Sequence, residues 1–263
     1  MNSREKKLEA FGRLLDIMDE LREKCPWDRE QSFESLRNLT IEETYELADA
    51  ILEKDMNGIR KEMGDVLLHI VFYAKLGSES GKFDIADVCN SLCEKLVFRH
   101  PHVFGDTRVN DSKDVLENWE DLKIREGNKT VLGGVPKSLP AMIKANRIQD
   151  KARAVGFDWD LREQIWEKVD EELNELREVI TEGNQDRIED EFGDLFFSVI
   201  NAARLYNVDP ETALERTNKK FVKRFNYLEQ ETLHKGRSLR DMNLDEMNEI
   251  WEKSKAFDDK TKP

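Results

Sequence analysis

The sequence predicts an all-α protein built from two related halves. Three observations carry that expectation. Proline and glycine are sparse, at 6 and 13 of 263 residues, and apolar residues recur at helical period with no run alternating as a strand would. A block of acidic residues occurs twice with identical internal spacing. A stretch rich in glycine and proline separates the two copies.

The elements follow in order. Residues 7–24 place Leu8, Phe11, Leu14, Leu15, Met18 and Leu21 on one stripe of a helix. Residues 41–53, 59–76 and 84–99 carry similar stripes, that of 59–76 including Met63, Leu67 and Ile70. Residues 127–140 hold three glycines and two prolines and read as a linker. Helices are expected again at 141–155, 164–180, 187–206, 210–233 and near 244–256. The halves share an order of elements, which indicates a tandem duplication with domains at 1–126 and 141–263.

Composition narrows the function classes. Hydrophobic and charged residues make up 38% and 37%, enough apolar material for two cores. A net charge of −14 disfavours non-specific contact with nucleic acid or anionic membrane, though it leaves room for a local phosphate pocket. Cys25, Cys89 and Cys93 are too few for a disulfide framework. The i, i+4 pair Cys89 and Cys93 reads as buried small hydrophobes in preference to a zinc pair. No apolar run suffices for a membrane span, and the charged start Met1–Lys7 is unlike a secretory leader, so a cytoplasmic location is expected.

The repeated acids are Glu42-Glu43-Thr44-Tyr45-Glu46 with Glu62-Met63-Gly64-Asp65, then Glu171-Glu172-Leu173-Asn174-Glu175 with Glu191-Phe192-Gly193-Asp194. Glu171 follows Glu42 by 129 positions, and the same offset holds for every acid in the pattern. Within each copy two i, i+3 pairs lie on consecutive helices, at similar distances from a turn marked by Asp55 or Asn184. Each hairpin can therefore gather four carboxylates: Glu43, Glu46, Glu62 and Asp65, or Glu172, Glu175, Glu191 and Asp194. Clustered carboxylates repel unless a cation sits among them, and oxygen-only ligands select hard ions, Mg²⁺ or Mn²⁺. A di-iron centre would require two Glu-x-x-His pairs, whereas the chain has one, Glu231 and His234, outside the repeat. The competing interpretation is a solvated acidic face, common in so charged a chain. Gly64 and Gly193, costly inside helices, suggest close approach by another backbone or a ligand.

Cations recur as well. Lys220 and Arg224 stand i, i+4, and Lys95 and Arg99 match them in the first half. Trp119 with Lys123, and Trp251 with Lys255, pair an aromatic with a lysine four residues on. Such a pair can stack on a nucleoside and meet phosphate, or pack its aromatic inward. His69 stands one turn after Asp65, where the second copy has Ser198, and is expected in the core.

The pattern Glu-Glu-x-x-Glu followed by Glu-x-x-Asp resembles the signature of the MazG nucleoside triphosphate pyrophosphohydrolases. The stretches Cys25-Pro26-Trp27-Asp28, Arg99–Phe104, Ser138–Ala141 and Val155-Gly156-Phe157-Asp158-Trp159 resemble the two-domain bacterial members. The resemblance implies helical hairpins that form four-helix bundles on dimerisation. It also implies Mg²⁺-dependent conversion of nucleoside triphosphates to monophosphate and pyrophosphate, with broad base specificity and the second copy as the main catalytic one. On that basis Glu172, Glu175, Glu191 and Asp194 are metal ligands, as are Glu43, Glu46, Glu62 and Asp65 in the first copy. Glu171 or Glu172 orients or deprotonates the water, Lys220 and Arg224 hold the triphosphate, and Trp251 and Lys255 contact nucleotide. Lys95, Arg99, Trp119 and Lys123 are their counterparts. The alternatives are a narrower hydrolase of aberrant or deoxy nucleotides and a non-catalytic helical interaction protein. The absence of a glycine-rich phosphate loop argues against P-loop chemistry.

Overall fold

A computed structural model describes residues 1–109, 115, 130–234 and 236–257, and among them there are helices and no strand. The all-α expectation holds. The chain divides into two compact units, 1–110 and 111–263. The finer limits read from the sequence, a linker at 127–140 between domains at 1–126 and 141–263, stand as a proposal beside that division. Trp119 and Lys123 lie outside the described residues.

The N-terminal unit runs α1 (Arg4–Lys24), α2 (Pro26–Glu30), α3 (Phe33–Glu53), α4 (Met56–Glu79), α5 (Ile85–Arg99) and α6 (Pro101–Phe104). Ser3 caps α1 by accepting from the Lys6 amide, and Ser32 with Ser35 forms a reciprocal capping box on α3. Helices α3 and α4 form an antiparallel hairpin, and α1 packs on α4. Met18, Leu36, Val71, Phe72 and Leu76 make the core, with Leu14, Leu68 and Tyr73 packed against it. Fully burying a side chain such as Phe72 contributes roughly 1.5–3 kcal/mol. The Arg22 guanidinium donates to both carboxylate oxygens of Glu79, at 2.9 and 2.6 Å, which fastens α1 to the end of α4.

The second unit carries a short 3₁₀ turn, Val131–Gly134, then α7 (Ala141–Ala154), α8 (Ile165–Glu182), α9 (Gln185–Leu205), α10 (Pro210–His234) and α11 (Leu244–Ser254). Helices α8 and α9 form its hairpin, α7 packs on α9, and α11 packs on α10. The two hairpin turns share one geometry. Gly183 (φ 74°) ends α8 in the left-handed conformation and Asn184 caps α9 through its side chain; Lys54 (φ 56°) and Asp55 do the same between α3 and α4. Asp55 and Asn184 are thus the turn residues the spacing indicated.

One sequence expectation fails. Cys89 and Cys93 are exposed, because α5 buries no residue in its unit. A methyl group at Gly64 or Gly193 would meet open space, so no neighbour among the described residues requires glycine there. Both glycines lie beside an uncovered apolar stripe. Met63, Leu67 and Ile70 are exposed on α4, and Phe192, Phe196 and Val199 are exposed at the equivalent places on α9. No described helix is long and apolar enough to cross a membrane.

Candidate functional site

Each hairpin gathers its acids. Carboxylate oxygens of Glu43, Glu46 and Glu62 lie within 4.8 Å of one another, and those of Glu172, Glu175 and Glu191 do the same. The i, i+3 spacing sets one pair per helix, and the shared turn geometry brings the helices level. Asp65 and Asp194, the fourth acid of each pattern, stand outside these tight trios but within their field. Burial first, and then the charges of Glu175, Asp194 and Glu172, push Glu191 above the usual carboxylate range. Glu43 is raised likewise, by burial and then by Glu46 and Asp65.

A cation fits these groups on the evidence of unmet hydrogen bonds. Glu62 Oε2 and Glu191 Oε2 are buried without a partner, and they are equivalent residues of the repeat. A buried carboxylate oxygen with nothing to accept from is costly, and a divalent ion coordinated by several carboxylates removes that cost. Lysines supply part of the compensation. Lys168 lies 2.9 Å from Glu171 and 2.8 Å from the buried Glu172, and Lys61 lies 2.9 Å from Glu62. The bond to Glu172, then the one to Glu171, raises the proton affinity of Lys168, so its charge persists through the neutral range. Lys168 escaped the sequence reading, although its i, i+3 and i, i+4 relation to Glu171 and Glu172 was a usable signal.

Beside the second cluster opens a cavity of about 660 Å³. Glu172 and Asp194 form part of its wall, so acids and cavity are continuous. Ile148, Ala152, Ile165 and Phe197 supply apolar surface, and Trp159 an aromatic one. Arg204 donates to Asp158 with both terminal nitrogens and to Asn201, which fixes one side of the cavity. Gly156, Phe157, Asp158 and Trp159, singled out in the sequence only as a family-like stretch, all line it. So does Leu132, in the segment read as a linker.

The predicted basic residues lie elsewhere. Lys220 is exposed on α10, and Arg224 sits with its guanidinium 5.7 Å from the Trp251 ring centre. The Trp251 ring packs 5.1 Å from that of Phe221, and Lys255 pairs with Glu252. None of these four residues lines the cavity; Arg224 borders a separate cleft with Lys223 and Tyr227. Lys95 is exposed and Arg99 half-buried on α5. His69 is buried as expected, with Nδ1 2.8 Å from the Thr40 hydroxyl, which lies 2.7 Å from that of Tyr73.

Fold and site together define an all-helical protein of duplicated hairpins, each with a carboxylate cluster suited to a hard divalent cation. A profile of the MazG nucleotide pyrophosphohydrolase domain matches residues 31–104 and 162–228. The two matched stretches contain the two acidic clusters. The chain is 44% identical over 254 residues to the nucleoside triphosphate pyrophosphohydrolase/pyrophosphatase MazG of Thermotoga maritima, covering 95% of this chain and 97% of that protein. It is 39% identical over 259 residues to the nucleoside triphosphate pyrophosphohydrolase of Escherichia coli K12, covering 94% and 98%. It is also 44% identical to the uncharacterised YabN of Bacillus subtilis, of which it spans 51%. The chain belongs to the MazG family.

Proposed function

We propose that the protein hydrolyses nucleoside triphosphates to the monophosphate and pyrophosphate in its C-terminal unit, with Mg²⁺ held by Glu172, Glu175, Glu191 and Asp194 and Mn²⁺ as a possible substitute. The observation that carries this is the trio Glu172, Glu175 and Glu191, with the unpartnered Glu191 Oε2, joined through Glu172 to a cavity of nucleotide-accommodating size. The printed names of the Thermotoga maritima and Escherichia coli relatives describe the same reaction class. Cleavage between the α and β phosphorus atoms follows from those products.

When bound, the divalent ion supplies positive charge to phosphate oxygens and acidifies a water. Glu171 or Glu172 accepts the proton of the attacking water; Lys168, in contact with both, keeps their carboxylates oriented. Lys220 and Arg224, off the cavity on α10, are the candidate partners of the phosphate tail, and Trp251 and Lys255 are candidate nucleotide contacts outside the cavity. The N-terminal copy binds a cation through Glu43, Glu46, Glu62 and Asp65. Lys95, Arg99, Trp119 and Lys123 are its candidate substrate-binding residues.

A homodimer belongs to the same proposal. Each hairpin offers two helices and leaves an apolar stripe bare, and a second copy laid on it completes four-helix packing. A cytosolic setting, where nucleoside triphosphates abound, suits this reading. The decisive experiment incubates the purified chain with each common triphosphate and Mg²⁺ and separates the phosphate products. Pyrophosphate supports the proposal; orthophosphate places the cleavage elsewhere; no product from any of them favours a non-catalytic scaffold.

A further inference from the structure

We propose that the cavity of the C-terminal unit seats the nucleobase, and that Gln149 selects the base by accepting a hydrogen bond from an N–H on its edge. The inference rests on the proposed triphosphate hydrolysis and names the substrate feature that hydrolysis would read. Gln149 is 5% exposed at the middle of α7 and lines the cavity. Its Nε2 donates to the Phe197 carbonyl at 2.8 Å. That bond settles which way the amide faces, since the flipped amide would set two carbonyl oxygens against each other. Gln149 Oε1 is left buried with no donor.

Among the described residues the buried side-chain oxygens without a partner are Glu62 Oε2, Glu191 Oε2 and Gln149 Oε1. The first two sit in the acid clusters. The third belongs to a residue that lines the cavity joined to the second cluster through Glu172 and Asp194. Several other polar groups on this wall are engaged: Arg204 with Asp158 and Asn201, and the Ser198 hydroxyl with the Leu195 carbonyl. An unmet acceptor in a fixed orientation, within a largely apolar surround, calls for a ligand donor.

The surround indicates what carries that donor. Ile148, Ile165 and Trp159 suit the flat apolar faces of a heterocycle, whose N–H groups lie at its edge. A sugar presents hydroxyls in several directions, and one buried acceptor cannot satisfy them. With phosphates held at the acids, the base is the end of the substrate left to fill the cavity. Trp251, the aromatic expected from the sequence, is already packed against Phe221 and Arg224.

The test pairs each triphosphate with an analogue whose edge donor is removed or methylated. The pairs are ATP with purine riboside triphosphate, CTP with pyrimidin-2-one riboside triphosphate, GTP with 1-methyl-GTP, and UTP with N3-methyl-UTP. Wild type should favour at least one parent over its analogue by about tenfold in kcat/KM. Gln149→Met should lose that preference, treating parent and analogue alike, with the change falling on KM more than on kcat. A wild type indifferent within every pair overturns the inference without any variant, as does a folded Gln149→Met that keeps the wild-type preference. Discrimination by 2′-deoxy substitution in place of the base pairs would assign Gln149 to the sugar and overturn it too. Absence of pyrophosphate from all wild-type reactions sinks the hydrolysis proposal instead. Calorimetric binding of AMP against purine riboside monophosphate then still decides the base reading, equal affinities counting against it.

Discussion

Where the N-terminal unit sets Phe72, the C-terminal unit sets Asn201, 129 positions later on the equivalent helix. Phe72 is 2% exposed in a closed core with Met18 and Leu36. Asn201 lines an open cavity and accepts from Arg204. One further exchange points the same way. His69, tied to Thr40 and through it to Tyr73, becomes Ser198, which turns its hydroxyl back onto its own helix. The two copies keep the same clustered acids and differ in what lies beside them. The acidic cluster is thus common to both halves, while Phe72 fills the place that lies open beside Asn201 in the second.

That contrast can be broken in several ways. The largest expected effect is at Phe72, where truncation to Ala should cost about 3–5 kcal/mol in urea denaturation, because a filled core has no space to spare. The reciprocal Asn201→Phe should leave the helical signal intact and raise KM for nucleotide. Equal stability losses at the two positions would show that the cavity is not the real difference between the units.

Next come the acids. Glu172→Ala should reduce pyrophosphate release at least about a hundredfold, whereas Glu43→Ala should cost far less, on the proposal that the C-terminal unit is the catalytic one. Equal losses at both positions, measured as initial rates, would assign catalysis to both copies.

A smaller effect concerns pH and metal. Burial and like charges hold Glu43 and Glu191 above the usual carboxylate range, so ionising them costs more in the folded apo protein than in the unfolded chain. Apo stability should therefore fall as pH rises through these raised values. A divalent ion that binds the ionised groups should restore it. Tm scans should show a Mg²⁺-dependent rise near about pH 7 that shrinks toward pH 4, where the carboxyls protonate. A Tm insensitive to Mg²⁺ at neutral pH would argue against cation binding at either cluster.

The smallest effect sharpens the symmetry of the turns. Lys54 holds the left-handed conformation that Gly183 holds in the second copy. Gly183→Ala should destabilise by about 1 kcal/mol, and Lys54→Gly should change stability by less than about 1 kcal/mol, in thermal melts.

Much of this molecule was legible in the chain. Helical periodicity located the long helices, because one buried stripe per helix forces apolar residues to recur every three or four positions. The acidic trios were legible for the same reason: i, i+3 carboxylates share a face, and the Asp55 and Asn184 turns set the register between helices. Lys168 could have been found by that rule. Other features depend on distances that spacing does not encode. Gln149 and Phe197 are 48 residues apart, and nothing local in either marks an amide locked by one bond and left with an empty acceptor. Leu132 read as linker because glycine and proline surround it, yet it reaches the cavity wall. Cys89 and Cys93 read as core because helical spacing reports which residues share a face, not whether anything covers that face. Linear order determines which groups can meet on one helix surface. Whether the space between two surfaces is filled by Phe72 or left open beside Asn201 is settled by volumes contributed from helices far apart in the chain, and only packing in three dimensions adds those together.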